Sequence, residues 1–466
     1  MKRFFCIFAV VALVFVGCSQ NFSEVKIENS SLTEKSMTQE ERARKVVLDM
    51  LNRIDPQTRG YVRKIASVEF ITFEQMFGSK SRGESDSINW ELDPNPTKQP
   101  GLGIINFQDS TGYAIIDPGS LEQAPDITGG NGDSEAVTLL AITDSGNIST
   151  DEILSYGDEW MNNSGNGDTS SEEDSSICTV GEADEDNFVT SLLYSYVYNK
   201  TYCPDFGTDS PEDDANMDSV NDVAMECKGP LVSTKWKQTH PFNARVETYS
   251  NNGPKCPVGC TVIATAQVLT YFANRDLSWF FGVTNSTWST FINTDFSNSN
   301  SSTTLTSAES DVSKFTKEIA DGIGVNYKEK GSGAGTATPL KVKSYVKNDL
   351  LYSVSLSVWG RKAKRLLQIV NSINNNKPVI IFAGDSTVFL GGHSWIIDGY
   401  MQNDDSNEAK HDYYVHCNYG WGGKSDGWYF IDLLHNEKNE NEWLDDTSVG
   451  EASFNFNYMF SYLFFN

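Results

Sequence analysis

Residues 256–272, CPVGCTVIATAQVLTYF, set two cysteines four positions apart and then run into an apolar stretch of helical character. Only a thiolate attacks, so a nucleophilic cysteine needs its pKa lowered. Unpaired N–H groups at a helix start supply partial positive charge, and a neighbouring imidazolium supplies a full one. Cys260 stands where the first device operates, with Gly259 before it giving the backbone room to turn. A cysteine used only for packing has no reason to prefer the first turn.

The imidazole has to come from five histidines: His240, His393, His411, His416 and His435. His393, in GGHSWIIDGY, follows two glycines at the start of a strand pattern, where a substrate backbone could approach. His416, in YYVHCNYGW, is its rival, and His411 sits in a charged loop. A base works better when a third group fixes its tautomer and orientation, and the amide of Asn418 is the candidate for that. Tyr419 and Trp421 can shield the site from water, or simply pack an aromatic strand. Acyl transfer also needs donors aimed at a developing oxyanion; Gln238, in TKWKQTHPFN, offers one beside the Cys260 amide. Cys256 with Cys260 could form a metal or redox pair instead. The intervening PVG resembles neither a zinc knuckle nor a thioredoxin motif, and no second ligand pair has the required spacing. No metal and no cofactor is expected.

Four blocks in this order, GPLVSTKWKQTHPFN, CPVGCTVIATAQVLTYF, GGHSWIIDG and HCNYGWGGKSDGWYFID, resemble the streptopain-type cysteine peptidases, papain-fold enzymes of streptococci and gut Bacteroidetes. The resemblance covers about residues 228–435. It implies Cys260 as nucleophile, His393 as base, Gln238 at the oxyanion and Asn418 as orienter. KGSGAGTATPLKVKSYV resembles the family's substrate-facing loop, so Ser332, Gly333 and Ala334 are implied contacts, as is Gly392 beside the base. Family members commonly carry Trp after the asparagine, whereas this chain has the smaller, more polar Tyr419. The upstream unit is more loosely similar to the family's inhibitory propeptide, through YAIIDP and LLAITDSGNIS. That similarity implies a zymogen acting on protein or peptide substrates, with its own propeptide as intramolecular inhibitor. The expected fold is α+β: a two-lobed papain-like domain with a helical lobe and an antiparallel sheet lobe, after a small α+β propeptide.

The elements that must position these residues are legible by period. Thr38 to Glu41 makes a capping-box arrangement before ERARKVVLDMLNRI, which has helical spacing. KIASVEFITFEQ, GLGIINF, GYAIIDP and AVTLLAITDSG read as strands. FVTSLLYSYVYNK has the character of one helix between acidic, serine-rich and glycine-rich stretches. Beyond residue 260, VSKFTKEIADGIG, PLKVKSYVKNDL and RKAKRLLQIVNSINN are helical in period. PVIIFAG, HSWIIDGY, YYVHCNYGW, GWYFIDL and SFNFNYMFSYLFF follow as strands. The polar stretch NSTWSTFINTDFSNSNSSTTLTSAESD reads as a surface loop. Helices followed by an antiparallel sheet make an α+β layout.

The chain has 466 residues and a formal net charge of -27, which argues against a nucleic-acid partner. At the N-terminus, Lys2 and Arg3 precede an apolar run over 4–16 and then Gly17-Cys18, in the manner of a bacterial lipoprotein signal. Cys18 is then the lipid-bearing residue, and the protein is expected at the cell envelope, on the outer membrane or surface, with release after processing an option. Cys178, Cys203 and Cys227 could pair after export. The expected layout is a signal over 1–17, a tether over 18–37, the propeptide-like domain over 38–155, an acidic linker over 156–227 and the peptidase domain over 228–466.

Overall fold

The segment VIIFAGD at Val379–Asp385 shows how the sheet is built. Successive side chains of a strand point to opposite faces. Ile380 and Phe382 accordingly enter one core, and Val379, Ile381 and Ala383 another. The computed structural model describes residues 38–54, 63–77, 100–118, 137–155, 185–202, 217, 219–221, 224, 227–248, 254–272, 281–282, 284–297, 299, 304–327, 337–357, 362–385, 392–404, 411–434 and 458–466.

Among these residues the strands are β1 (Ile65–Thr72), β2 (Pro100–Phe107), β3 (Tyr113–Asp117), β4 (Thr138–Thr143), β5 (Cys227–Lys228), β6 (Val354–Ser357), β7 (Val379–Asp385), β8 (Gly392–Asp404), β9 (His411–Asn418), β10 (Gly427–Phe430) and β11 (Tyr458–Phe465). They form one sheet in the order β1-β2-β3-β4-β10-β9-β8-β7-β11-β6, with β5 on β8. Each described pairing is antiparallel. The helices are α1 (Gln39–Ile54), α2 (Phe73–Phe77), α3 (Glu185–Tyr202), α4 (Cys260–Phe272), α5 (Asn285–Asn293), α6 (Ser307–Ile323), α7 (Pro339–Ser344) and α8 (Lys362–Asn374).

Helix α4 is buried from Cys260 through Thr270. A helix apolar around its whole circumference belongs at the centre of a packed layer. Its Val262, Ile263, Val268 and Leu269 share a core with Trp236, Trp288, Phe291, Phe315 and the sheet residues Ile380, Ile396 and Leu463. The expected mixture of helices with an antiparallel sheet is therefore present.

The N-terminal strands extend the same sheet. Gly427, Trp428 and Tyr429 of β10 pair with Thr143, Ile142 and Ala141 of β4. A Cβ on Gly427 would collide with the carbonyl of Ile142, so glycine lets the two backbones close up there. One apolar core runs from Phe73, Leu102, Ile115 and Leu140 through to Val379, Trp395, Val415 and Tyr429. From Gln39 onward the chain forms a single compact unit.

Two segments differ from the sequence-based expectation. Within 156–227, expected as an acidic linker, α3 lies in that shared core through Val189, Leu192, Leu193, Tyr194, Tyr196 and Val197. Its Lys200 Nζ is 2.6 Å from Asp117 Oδ2 on β3, which also accepts a hydrogen bond from the Tyr196 hydroxyl at 3.1 Å. Of the flanking acidic stretches, Met217, Ser219, Val220, Asn221 and Ala224 are described, and Val220 joins the same core. Within the stretch expected as a surface loop, α5 is capped by Thr284 and Thr287 and buries Trp288 and Phe291. Two large rings three positions apart outweigh the polar residues around them.

Trp288 is 2 % exposed and meets Phe315 edge-on at 5.3 Å. Trp288→Ala should destabilise the chain by about 3–5 kcal/mol, read as a lower urea midpoint at unchanged slope. A loss under about 0.5 kcal/mol would return α5 to the surface.

Candidate active site

Cys260 is the first residue of α4, and Gly259 before it adopts φ 103°, a conformation open to glycine. The Gly259 carbonyl accepts the first turn's hydrogen bond from Ile263 N at 3.1 Å. Cys260 thus lies in the first turn, where helix N–H groups lack intrahelical partners. Thr261, the next residue, exchanges a 2.9 Å hydrogen bond with Ser394, the residue after His393. The backbone and hydroxyl groups of the same two residues favour the Cys260 thiolate electrostatically. Helix start and β8 are therefore joined at the residues flanking the candidate pair. Gln238 is buried beside this turn, its carbonyl accepting from Val258 N at 2.9 Å.

His393 is 3 % exposed and pairs along the sheet with Ala383. Its ring stacks at 4.5 Å on Trp421, at 6.0 Å on Tyr419 and at 5.8 Å on Trp395. Its Nε2 lies 2.9 Å from the backbone oxygen of Tyr419. The Asn418 amide, expected to hold this ring, faces elsewhere: Nδ2 donates to the Thr234 oxygen at 2.9 Å and Oδ1 accepts from Gln267 Nε2 at 3.1 Å. A main-chain carbonyl one residue further on takes the position expected for the side chain.

Burial decides the charge state. It pushes the Cys260 thiol up, against the opposing bonds from Ser394 and Thr261. It brings His393 down to about 3, although the Tyr419 carbonyl favours the protonated ring. Both groups are neutral at pH 7 in this arrangement, in place of the thiolate and imidazolium expected from sequence. A desolvated site favours the uncharged forms.

His416 is held differently. Its Nδ1 is 2.6 Å from Asp398 Oδ1 and its Nε2 is 3.3 Å from Asp144 Oδ2. Burial opposes the charge, but Asp398 and Asp144 raise the imidazolium to about 10. Asp144 also feels Lys235 and Arg63 and, despite burial, titrates below the usual carboxylate range. An imidazole locked as a cation cannot serve as a base at neutral pH, so His416 loses its standing as rival to His393.

Gly392 opens β8 opposite Gly384, next to His393. Ser332, Gly333, Ala334, Cys18, His435, Cys178 and Cys203 lie outside the described residues. Tyr419 and Trp421 are 0 % and 5 % exposed. Thr261, Ser394 and Gln267 were not singled out from sequence. Gln267 carries a usable signal, since a wide polar side chain in the middle of an apolar helix needs partners once buried.

Residues 236–429 match the Peptidase C10 family. Streptopain of Streptococcus pyogenes is 24% identical over 257 residues, covering 48% of this chain and 62% of the relative. The thiol protease/hemagglutinin PrtT of Porphyromonas gingivalis is 22% identical over 215 residues, 43% of this chain and 23% of the relative. The chain thus spans less than two thirds of the length of either curated relative. Among solved structures, a fragment of Prevotella intermedia prointerpain A aligns over 78% of this chain and 94% of its own, at a TM-score of 0.43 and 16% identity.

The two buried histidines set opposite pH limbs. His393, held below its ordinary value, costs stability as pH falls from about 6.5 towards 3; His416, held above it, gives stability that fades as pH rises from about 6.5 through 10. Urea midpoints should therefore peak near pH 6–7, and Asp144→Asn should make the alkaline limb shallower. An alkaline limb indifferent to Asp144→Asn would remove the ion pair from the account.

Proposed function

We propose that this chain, with its Peptidase C10 domain over 236–429, is an exported cysteine endopeptidase made as a zymogen and tethered to the cell envelope by a lipid on Cys18. The observation that carries the reading is the junction at which Cys260 opens a buried helix against the strand residue following His393. In the proposed reaction His393 takes the Cys260 proton, and the thiolate attacks the scissile carbonyl. The tetrahedral oxyanion is received by the Cys260 N–H and the Gln238 amide. His393 then passes its proton to the leaving amine. Water attacks the thioester, again with His393 as base, and releases the acid. Asn418 stabilises the loop that steadies the ring; Gly392 and Trp421 are proposed substrate contacts, as are Ser332, Gly333 and Ala334 outside the described residues, while Tyr419 is fully buried against the ring.

The zymogen reading draws support from the contacts of the N-terminal strands. Asp144 N donates to the Asp426 oxygen at 2.8 Å, Ser145 Oγ donates to the Gly423 oxygen at 3.1 Å, and Asp144 reaches His416. The turn after β4 thereby holds the loop over 420–426, which follows the carbonyl that engages His393. A neutral, buried Cys-His pair suits a latent enzyme. Cleavage in the acidic stretches around α3, at positions outside the described residues, is the proposed activating step, after which peptide or protein substrates enter and the mature domain is free to leave the anchor.

A second reading, a surface binding protein on a silent peptidase scaffold, is favoured by the same neutral pair and by Tyr419. The expressed chain distinguishes the two. The peptidase reading expects trimming towards about half the original mass and hydrolysis of peptide substrates. Cys260→Ala should abolish both, with a fall in hydrolysis of about 10³-fold or more. Full hydrolysis by Cys260→Ala would end the assignment, and an untrimmed, inert wild-type chain would favour the binding protein.

A further inference from the structure

One buried side chain ties together the three segments that carry the candidate catalytic groups. Gln267 lies two turns along α4 from Cys260 and is fully buried. Its Oε1 accepts from Trp236 N and from Thr234 Oγ1, each at 3.1 Å. Its Nε2 donates to Asn418 Oδ1 at 3.1 Å. The orientation is fixed by chemistry: a backbone N–H is an obligate donor, so the atom facing Trp236 N must be the oxygen. Asn418 Oδ1 likewise accepts Gly420 N at 3.2 Å, so the atom of Gln267 that faces it must be the nitrogen.

The ring of contacts closes. Asn418 Nδ2 donates to the Thr234 oxygen, and Gly422 N donates to the Trp236 oxygen at 2.8 Å. Trp236 leads to Gln238, whose carbonyl braces Val258 ahead of Cys260. Asn418 leads to Tyr419, whose carbonyl meets His393 Nε2. Three backbone segments are thus registered through one amide.

We propose that Gln267 is a positioning residue of the catalytic centre, setting the Cys260 helix, the Gln238 segment and the 418–420 segment that holds His393 in one register. The assignment rests on the peptidase reading above. The hydrogen bonds of Gln267 among the described residues go to Thr234, Trp236 and Asn418, so it acts through those segments.

Gln267→Glu separates this role from simple packing. The new side chain keeps an oxygen towards Trp236 N and Thr234, but as a carboxylate it has no donor for Asn418 Oδ1. Asn418 cannot turn its amide to compensate without losing Thr234 and Gly420. Once protonated, the carboxyl can donate again. Peptide hydrolysis by Gln267→Glu, per folded molecule, should show kcat about tenfold down at pH 8 with KM little changed, recovering towards wild type as pH falls. Gln267→Met, which fills the space without hydrogen bonds, should lose kcat at every pH with no recovery. Wild-type kcat and an unchanged pH profile in both variants, after correction for folded fraction by near-UV circular dichroism, would overturn the proposal. A wild-type chain that hydrolyses nothing is a failure of the peptidase reading instead. The rate of Cys260 alkylation by iodoacetamide against pH, resolved by peptide mapping of the full chain, then decides: a profile altered by Gln267→Met keeps the positioning role and an unaltered one removes it.

Discussion

A hydrogen bond between two hydroxyls, Thr261 to Ser394, joins the helical layer to the sheet where chemistry would occur. The two residues follow Cys260 and His393, so the bond fixes one helix start against one strand start. The rest of the site is assembled around that fastening. The rings of Trp395, Tyr419 and Trp421 pack against the imidazole on β8, and the Gln238 carbonyl holds the turn ahead of Cys260. Side-chain hydroxyls suit this task, since each can donate and accept and both are buried without leaving a charge behind.

The same burial that orders the centre also works against charge in it. Removing water from a thiol and an imidazole favours the uncharged forms of both. A few residues away, in the same sheet, His416 is buried to a similar degree yet charged, because Asp398 and Asp144 surround it. The contrast shows that neighbouring carboxylates, rather than depth alone, decide which imidazole carries a proton. One of those carboxylates, Asp144, sits in the turn after β4, so the electrostatics of the sheet depend on residues that precede the segment matching the Peptidase C10 family.

Much of this was legible beforehand. Periodicity located α1, α4, α6, α8 and the strands of the C-terminal sheet, because in each an apolar face repeats at the helical or strand spacing. The thiol at a helix start and the histidine behind paired glycines were visible from residue type and position. Other features were hidden for physical reasons. Helix α3 was legible as a helix, but its burial was not, since its acidic flanks dominate the local composition. Helix α5 rests on two rings set among serines, threonines and asparagines. The partner of His393 is a main-chain oxygen, present at every residue and so invisible in a sequence. The Gln267 contacts join segments that meet only in the fold.

The pairing of β4 with β10 has one more consequence. The backbone N–H and C=O groups along the outer side of β10 are satisfied by β4. If the N-terminal strands depart, those groups become an open edge, already flat enough for close approach because Gly427 has no side chain there. An unpaired edge of this kind is a template for any extended chain. A trimmed form of the protein would need a replacement strand, its own or another molecule's, or it would tend to self-associate along that margin.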